Sequence, residues 1–307
     1  DIPFFNFEYF FRILNQTVYT ISIPKQLTKK DHPKFCDVNS RMADNPTSAR
    51  PSIIPRLLED ICERKTDDPT SVVYEFKEGN HSITEAIFLR SDVIFRSFPN
   101  PRTELSLTWL TISQCKITFV KVTFNCKIQV TAGGTIIAKE CQFTPIGVGD
   151  NDKCECAVEI FASSHGDFTD CIFRDSTKTA IAIRDRSDSK FTRCTFTGNR
   201  NTSILVLDHS TINVKECTFE SDPLKYTSRF SIYLYRSSQA EILHSNFNAQ
   251  IGKGLFMLSN SKAKVVNCEF KGCKGGAISV AEGSLAYVFE SAFTQIGCSS
   301  IHAMKSS

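Results

Sequence analysis

The segment 194–219 carries the pattern that determines the fold, and it reads CTFTGNRNTSILVLDHSTINVKECTF. A Cys-x-Phe motif at Cys194–Phe196 recurs 23 residues later at Cys217–Phe219. Between the two motifs lie two short apolar runs, Ser203–Val206 and Thr211–Lys215. Alternation with a period of two is typical of β-strands. The pattern therefore predicts about three short strands in each unit.

The same unit repeats along most of the chain. Equivalent phenylalanines follow one another in steps of 19, 30, 23, 23, 28, 23 and 23 residues. The two longest steps contain the segments 147–153 and 222–226, whose composition is typical of surface loops. The equivalent residues are Phe124, Phe143, Phe173, Phe196, Phe219, Phe247, Phe270 and Phe293.

Strands of about 3–5 residues cannot enclose a core within one unit, but stacked units can, because equivalent strands pair in parallel about 4.8 Å apart. The chain resembles the pectate-lyase-like, right-handed β-helix superfamily from about residue 52 to 307. Val72–Gly79 is similar to the first coil of that family, and Ser52–Arg64 to the amphipathic helix that commonly caps it. We expect an all-β, single-stranded, right-handed parallel β-helix of about nine coils over 71–307, with the capping helix and entry at 52–70.

Residues 1–51 differ from the repeats. Aromatic residues crowd the segment Phe4–Phe11, and four prolines interrupt the polar stretch that follows. This composition predicts an extended arm, either packed on the coils or used to dock a partner. The chain begins with Asp1 rather than Met, so we expect it to be part of a longer polypeptide, and its targeting stays open.

Composition limits the possible partners. The chain has 307 residues, of which 41% are hydrophobic and 22% charged, and this excludes a disordered chain. Its net charge of only +3 makes nucleic acid an unfavourable partner. It contains no run of about 18 uncharged apolar residues, so we expect no membrane span.

The 13 cysteines suggest a disulfide framework at first, yet the repeat explains five of them. In Cys-x-Phe the thiol and the ring are two residues apart in a strand, so they lie on the same side of the sheet. Because the ring points into the core, we expect the thiol to point inward as well. Parallel side chains suit a disulfide torsion poorly, and we expect buried thiols and a reducing, cytoplasmic environment. A zinc site on Cys154-x-Cys156 is the alternative, but it lacks a second ligand pair, so we expect neither metal nor cofactor. The column contains Cys141, Cys171, Cys194, Cys217 and Cys268, with Ser245 and Ser291 at equivalent places.

Catalytic members of the superfamily that act on acidic polysaccharides use clustered carboxylates. Their Asn-x-Asp, Asp-Asp, Gly-His-Gly and Asp-Pro-His elements are not found in the required order. The best remaining acidic group combines Asp185 and Asp208, 23 residues apart, with Asp188 and His209. Asp185 and Asp208 also occupy ordinary turn sequences, where aspartate caps the backbone. We favour the turn interpretation and expect no catalytic site.

Strand parity predicts an unusual outer column. If Ile204, Ile232 and Leu255 point inward, large apolar residues on three successive coils point outward. A contiguous patch of this kind usually marks a contact site, which either the N-terminal arm or a partner protein could cover. The outer column consists of Leu205, Leu207, Tyr233, Tyr235, Phe256 and Leu258.

These features together predict a non-enzymatic structural or protein-interaction scaffold that contacts a protein partner through the outer column. The chain resembles the β-helical regions of intracellular adaptor proteins more than secreted lyases. This resemblance implies a eukaryotic cytoplasmic protein, and a place in a cytoskeletal assembly is one form of the hypothesis. The alternative is a carbohydrate-binding protein, lyase or hydrolase with a diverged acidic site at Asp185 and Asp208.

Overall fold

A computed structural model describes residues 58, 62–64, 72–77, 79–97, 103–144, 156–221, 229–248 and 251–303, which lie within one compact unit, Pro46–Ser307. In these residues 29 strands wind into a parallel β-helix. From β6 onward each coil contributes three short strands, as the sequence predicts, whereas in the first two coils one long strand replaces two short ones. The long sheet contains ten parallel strands that bound nine complete coils.

The first face of the β-helix, called here the long sheet, has 11 strands. Its inward positions are apolar and its outward positions mostly polar, as in Asp188–Thr192, where only Ser189 and Phe191 are buried. The strands are β1 (Cys62–Arg64), β2 (Val73–Phe76), β4 (Val93–Ser97), β6 (Lys116–Val120), β9 (Thr135–Lys139), β12 (His165–Thr169), β15 (Asp188–Thr192), β18 (Thr211–Lys215), β21 (Gln239–Leu243), β24 (Lys262–Val266) and β27 (Leu285–Phe289).

The other two faces are hydrogen-bonded as one sheet of 18 strands, because the long strands β3 (Asn80–Leu89) and β5 (Thr103–Ser113) cross the corner between them. The phenylalanine face contains β7 (Val122–Phe124), β10 (Gln142–Phe143), β13 (Ile172–Arg174), β16 (Thr195–Thr197), β19 (Thr218–Glu220), β22 (Asn246–Asn248), β25 (Glu269–Lys271) and β28 (Ala292–Thr294). The third face contains β8 (Lys127–Thr131), β11 (Cys156–Ile160), β14 (Thr179–Ile183), β17 (Thr202–Val206), β20 (Phe230–Leu234), β23 (Lys253–Met257), β26 (Ile278–Val280) and β29 (Ile301–Ala303).

The predicted repeat register is confirmed. Phe196 is the ladder partner of Phe173 on one side and of Phe219 on the other. All the repeat phenylalanines from Phe124 to Phe293 stack face to face, with adjacent ring centroids 4.4–5.3 Å apart and interplanar angles of 4–13°. The ladder spacing thus brings equivalent rings into van der Waals contact along the whole core.

Left-handed backbone turns the chain between faces. A single residue with positive φ precedes each Cys/Ser-x-Phe motif, as at Arg193 (φ 52°) and Glu216 (φ 56°). Two consecutive residues with positive φ turn the chain into the long sheet, as at Asp208 (φ 53°) and His209 (φ 61°). Polar side chains such as aspartate and asparagine tolerate this conformation best, which agrees with the charged and polar residues at most of these positions.

The N-terminal entry differs from the prediction. Cys62–Arg64, predicted as the end of the capping helix, form β1, which pairs antiparallel with β2. The sheet edge gains hydrogen-bond partners from this strand, which a helix could not supply. Leu58 is helical and buried, but the rest of the predicted cap and the arm at 1–51 lie outside the described residues, so the cap itself stays a prediction.

The phenylalanine column should contribute strongly to stability. We expect Phe196→Ala to lower the free energy of unfolding by about 3–5 kcal/mol, because it removes a fully buried ring that stacks on two neighbours. Phe196→Leu should cost clearly less, since it retains most of the volume. Urea unfolding of both variants followed by circular dichroism measures this difference, and equal costs would contradict a stacking contribution.

Candidate functional site

The predicted column of inward cysteines is confirmed. Cys141, Cys171, Cys194, Cys217 and Cys268 are buried, free thiols. Each lies directly after a residue with positive φ, namely Glu140, Asp170, Arg193, Glu216 and Asn267 respectively.

These thiols have a local role that the sequence pattern did not reveal. Each Sγ lies 3.3–3.5 Å from the carbonyl oxygen two residues earlier, to which it can donate a hydrogen bond across the one-residue turn. Ser245 and Ser291 donate to the equivalent carbonyls of Leu243 and Phe289 at 2.8 Å. Cysteine and serine therefore replace one another because both are small donors that close the same turn.

Burial also makes Cys171 and Cys268 poor nucleophiles. It raises the pKa of Cys171 and of Cys268 above the usual value, because the thiolate would lose its hydration. Burial likewise raises the pKa of Cys115, whose thiol lies 3.3 Å from the Leu89 carbonyl, to about 11. These thiols are thus suited to packing and to hydrogen bonding.

The zinc alternative centred on Cys154-x-Cys156. Cys154 lies outside the described residues, and so does Cys36. Cys156 is buried on β11 within the outer cluster described below. Among the residues that the structure describes, no group of three or more His, Cys, Asp or Glu side chains is placed to hold a metal ion.

The four members of the acidic group are divided between two places. Asp185 and Asp208 lie on adjacent coils, as predicted, since the Arg186 amide donates to the Asp208 carbonyl at 3.0 Å. Both have positive φ and belong to the two-residue turns into the long sheet, which supports the turn interpretation. Asp188 instead begins β15, where its carboxylate contacts Nδ1 of His165 at 2.5 Å.

Each turn aspartate forms an ion pair with an arginine. Arg184 donates from Nη1 to Asp185 Oδ2 at 2.8 Å, and Arg236 donates from Nη1 to Asp208 Oδ1 at 3.1 Å. These contacts engage each carboxylate at its own turn, which agrees with the turn interpretation.

The outer column forms one cluster, as its spacing predicts. Tyr233 and Phe256 lie with ring centroids 5.2 Å apart, and Phe230 stacks on Phe256 at 4.9 Å. Leu205, Leu207 and Leu258 belong to the same cluster, and Tyr235 packs against it.

The expected exposure of this column is wrong. Leu205, Leu207, Tyr233, Phe256 and Leu258 are only 6–8% exposed. Basic side chains contribute to the cover: Lys253 Nζ lies 4.5 Å from the Phe256 ring centroid, and the Arg236 guanidinium 5.2 Å from that of Tyr235. The outer column is therefore a second hydrophobic core that stiffens the third face.

A polar cluster at the N-terminal side of this column was missed by the sequence analysis. Glu159 forms ion pairs with Lys127 at 3.3 Å and with Arg184 at 2.9 Å, and it accepts a hydrogen bond from Gln129 at 2.7 Å. Burial alone would raise the pKa of Glu159, but Lys127 and Arg184 outweigh it and lower that pKa below the usual value. Only the ladder register, which places Gln129 beside Glu159, brings these groups together.

A groove of about 670 Å³ runs along the outer side of the long sheet. Two columns of polar residues line it across consecutive coils, and Tyr287 lies at its end. The first column contains His165, Asp188, Thr211, Gln239 and Lys262, and the second Lys190, Asn213, Glu241 and Lys264.

The groove combines paired and unpaired charges. Lys264 forms an ion pair with Glu241 at 3.0 Å, and Asn213 donates to the other oxygen of Glu241 at 3.0 Å. Lys190 and Lys262 are exposed and have no ion-pair partner in the described part of the chain. The lining contains three lysines and two carboxylates, so these side chains carry more positive than negative charge. No helix among the described residues is long and apolar enough to cross a membrane.

The cysteine column offers a direct test of the turn hydrogen bond. We expect Cys268→Ser to change the free energy of unfolding little, because its neighbours Ser245 and Ser291 already make this bond. Cys268→Val should cost about 0.5–1.5 kcal/mol, since the Val266 carbonyl loses the thiol donor and keeps only the His244 amide. Urea unfolding compares the two variants. An equal cost would show that volume rather than hydrogen bonding selects the residue.

The raised pKa of Cys115 predicts a pH dependence. The folded state favours the neutral thiol, so its contribution to stability is complete below about pH 9 and is lost as the pH rises towards about 11. Cys115→Ser removes this titration while retaining a donor. We therefore expect the free energy of unfolding of the wild type to fall relative to that of the variant from pH 8 to pH 10.5 in urea unfolding. A constant difference would contradict this expectation.

Comparisons with known proteins agree with this architecture. The chain is similar to "Geobacillus virus E2 - ORF18", a solved structure, with a TM-score of 0.54 and 11% sequence identity. The alignment covers 81% of this chain and 57% of that chain, so this chain spans little more than half of its structural neighbour. At this identity the likeness concerns the fold alone. No curated protein matches the chain.

A family model described as "Right handed beta helix region" matches residues 126–293, which is more than half of the chain. This segment contains most of the stacked phenylalanines, the cysteine column and the whole outer column. The chain therefore belongs to the right-handed β-helix family.

Proposed function

We propose that this β-helix is a non-enzymatic interaction scaffold that binds an extended, acidic segment of a partner protein in the groove of the long sheet. The observation that carries the proposal is the groove itself, in which polar side chains repeat from coil to coil beside the exposed and unpaired Lys190 and Lys262.

The dimensions suit such a segment. The first column of the groove crosses five coils, which at the spacing of parallel strands is a length of about 20 Å. An extended peptide of about six residues has this length. Asn213, Gln239 and Thr211 supply donors and acceptors for its backbone, and the two lysines supply charge for its acidic side chains.

The rigidity of the scaffold supports the same role. The stacked phenylalanines fill the interior, and the side chains of the outer column form a second hydrophobic cluster on the outer side of the third face. Groove residues on such a support lose little conformational freedom on binding, which favours affinity. The buried thiols are consistent with a reducing compartment such as the cytoplasm, which forms part of the proposal.

Carbohydrate binding is the second candidate. The groove contains neutral amide and hydroxyl groups beside an aromatic ring, Tyr287, which is 54% exposed. Sugar-binding sites combine such groups, because hydroxyls need paired hydrogen bonds while the sugar face packs on an aromatic ring. Acidic polysaccharides would also contact Lys190 and Lys262.

Selection from a displayed library of random peptides tests the proposal. We expect enriched sequences to be acidic and to bind Lys190→Glu/Lys262→Glu at least about tenfold more weakly than wild type, because two attractive charges become repulsive. Lys271→Glu is the matched control, since it reverses an exposed lysine on β25, outside the groove.

A panel of neutral and acidic polysaccharides examined in parallel separates the two candidates. Binding of a polysaccharide that Asn213→Ala/Gln239→Ala weakens, without enrichment of acidic peptides, would replace the protein partner by a carbohydrate. Release of reducing sugar or unsaturated product that Asp185→Ala abolishes would overturn the non-enzymatic role.

A further inference from the structure

The two unpaired lysines of the groove lie at opposite ends of a diagonal. Lys190 belongs to the second column, on β15, and Lys262 to the first column, on β24. The strands β18 and β21 lie between them, so the two lysines are three coils apart. Each of these four strands pairs with a parallel strand on both sides, so the arrangement belongs to the interior of the stack.

The ladder register determines the distance between the two lysines. Three steps of about 4.8 Å along the stack and two residues of about 3.3 Å along the strand place the Cα atoms of Lys190 and Lys262 about 16 Å apart. In an extended peptide, side chains on one face recur every second residue, and the residues i and i+4 are about 13–14 Å apart. The flexible stems of two lysines can cover the remaining distance of about 2 Å.

The diagonal between the lysines crosses two neutral amides. Asn213 is the ladder neighbour of Lys190, and Gln239 is the ladder neighbour of Lys262. Asn213 donates from Nδ2 to Glu241 Oε2 at 3.0 Å, which leaves its side-chain oxygen to accept from a ligand. Gln239 is exposed, and its side-chain amide makes no hydrogen bond within the described coils. Both amides can therefore pair with the backbone or a polar side chain of a bound peptide.

Carboxylates near the diagonal disfavour other spacings of acidic residues. Glu241, which is bound by Lys264 and Asn213, lies beside the middle of the diagonal, where an acidic residue at i+2 would approach it. Asp167 is the ladder neighbour of Lys190 on the other side. A spacing of i+6, about 20 Å, would displace one acidic side chain beyond the lysine, towards Asp167 at the Lys190 end. Like charges at such short distances repel one another.

We propose that the groove selects an extended segment with two acidic side chains four residues apart, one bound by Lys190 and the other by Lys262, and with a non-acidic residue midway between them. This inference rests on the proposed function and adds the spacing that distinguishes one acidic segment from another. The residue at i+2 faces the amides of Asn213 and Gln239. The residues at i+1 and i+3 point away from the sheet, so the groove does not select them.

Three synthetic peptides of equal length and charge test the spacing. Each has blocked termini and two glutamates in a background of serine and glutamine, at i and i+2, i+4 or i+6. Fluorescence anisotropy at low ionic strength should show the tightest binding at i+4, by about two- to fivefold, because only this peptide engages both lysines and one exposed ion pair contributes about this factor. Lys190→Gln or Lys262→Gln should abolish the preference. Lys271→Gln, outside the groove, is the matched control and should retain it.

An exchange of two side chains should move the preferred spacing. In Lys190→Gln/Gln239→Lys the composition and net charge are unchanged, but the two lysines stand on adjacent coils, about 4.8 Å apart. We expect this variant to bind the i+2 peptide most tightly, because its two acidic residues are about 7 Å apart.

The outcomes separate the spacing from the proposed function. Equal binding of the three peptides that Lys190→Glu/Lys262→Glu still weakens would overturn the spacing and leave the acidic partner in place. Tightest binding of i+2 or i+6 by the wild type, or an unchanged preference in the exchange variant, would also overturn the spacing. If no peptide binds and the random library enriches no acidic sequence, the proposed function fails, and this inference fails with it.

Discussion

The parallel hydrogen-bond ladder is the constraint on which the rest of this structure depends. It places each residue beside its equivalent on the next coil, so the side chains of one column must pack favourably against one another. Aromatic rings gain from this repetition, and small donors such as cysteine and serine accept it. Side chains of like charge would repel one another in such a column. Opposite charges are therefore neighbours in the outer columns, with Asp167 beside Lys190 and Glu241 beside Lys264.

The same constraint explains why the fold could be predicted. The step of 23 residues between phenylalanines is the length of one coil. The alternation of side chains along a strand then places Phe196 and Cys194 on the same, inward side. The two long steps interrupt the repeat without disturbing it, because Phe143 still pairs with Phe173 and Phe219 with Phe247. The additional residues between the strands thus leave the ladder register intact.

Other features depend on contacts that a repeat pattern does not specify. Parity correctly placed Leu205 and Phe256 on the outer side, but it could not show that basic side chains and neighbouring rings cover them. The amphipathic pattern of Ser52–Arg64 gave no sign that its last residues pair with β2. The groove was also missed, since it arises from several columns whose individual residues are ordinary surface residues. The hydrogen bond of each column cysteine follows from the left-handed residue before it, and only backbone geometry reveals that residue.

The antiparallel strand β1 stabilises the first parallel strand of the long sheet, because it supplies hydrogen-bond partners to the edge of β2. Interior coils are held from both sides, and β1 supports the first parallel strand of the long sheet, while the described partners of β27 lie on one side only. In a stack stabilised by nearest-neighbour contacts, local opening begins where such contacts are fewest. Transient opening should therefore be rarer at β2 than at an uncovered sheet edge, so that the amide protection of β2 approaches that of the interior strands.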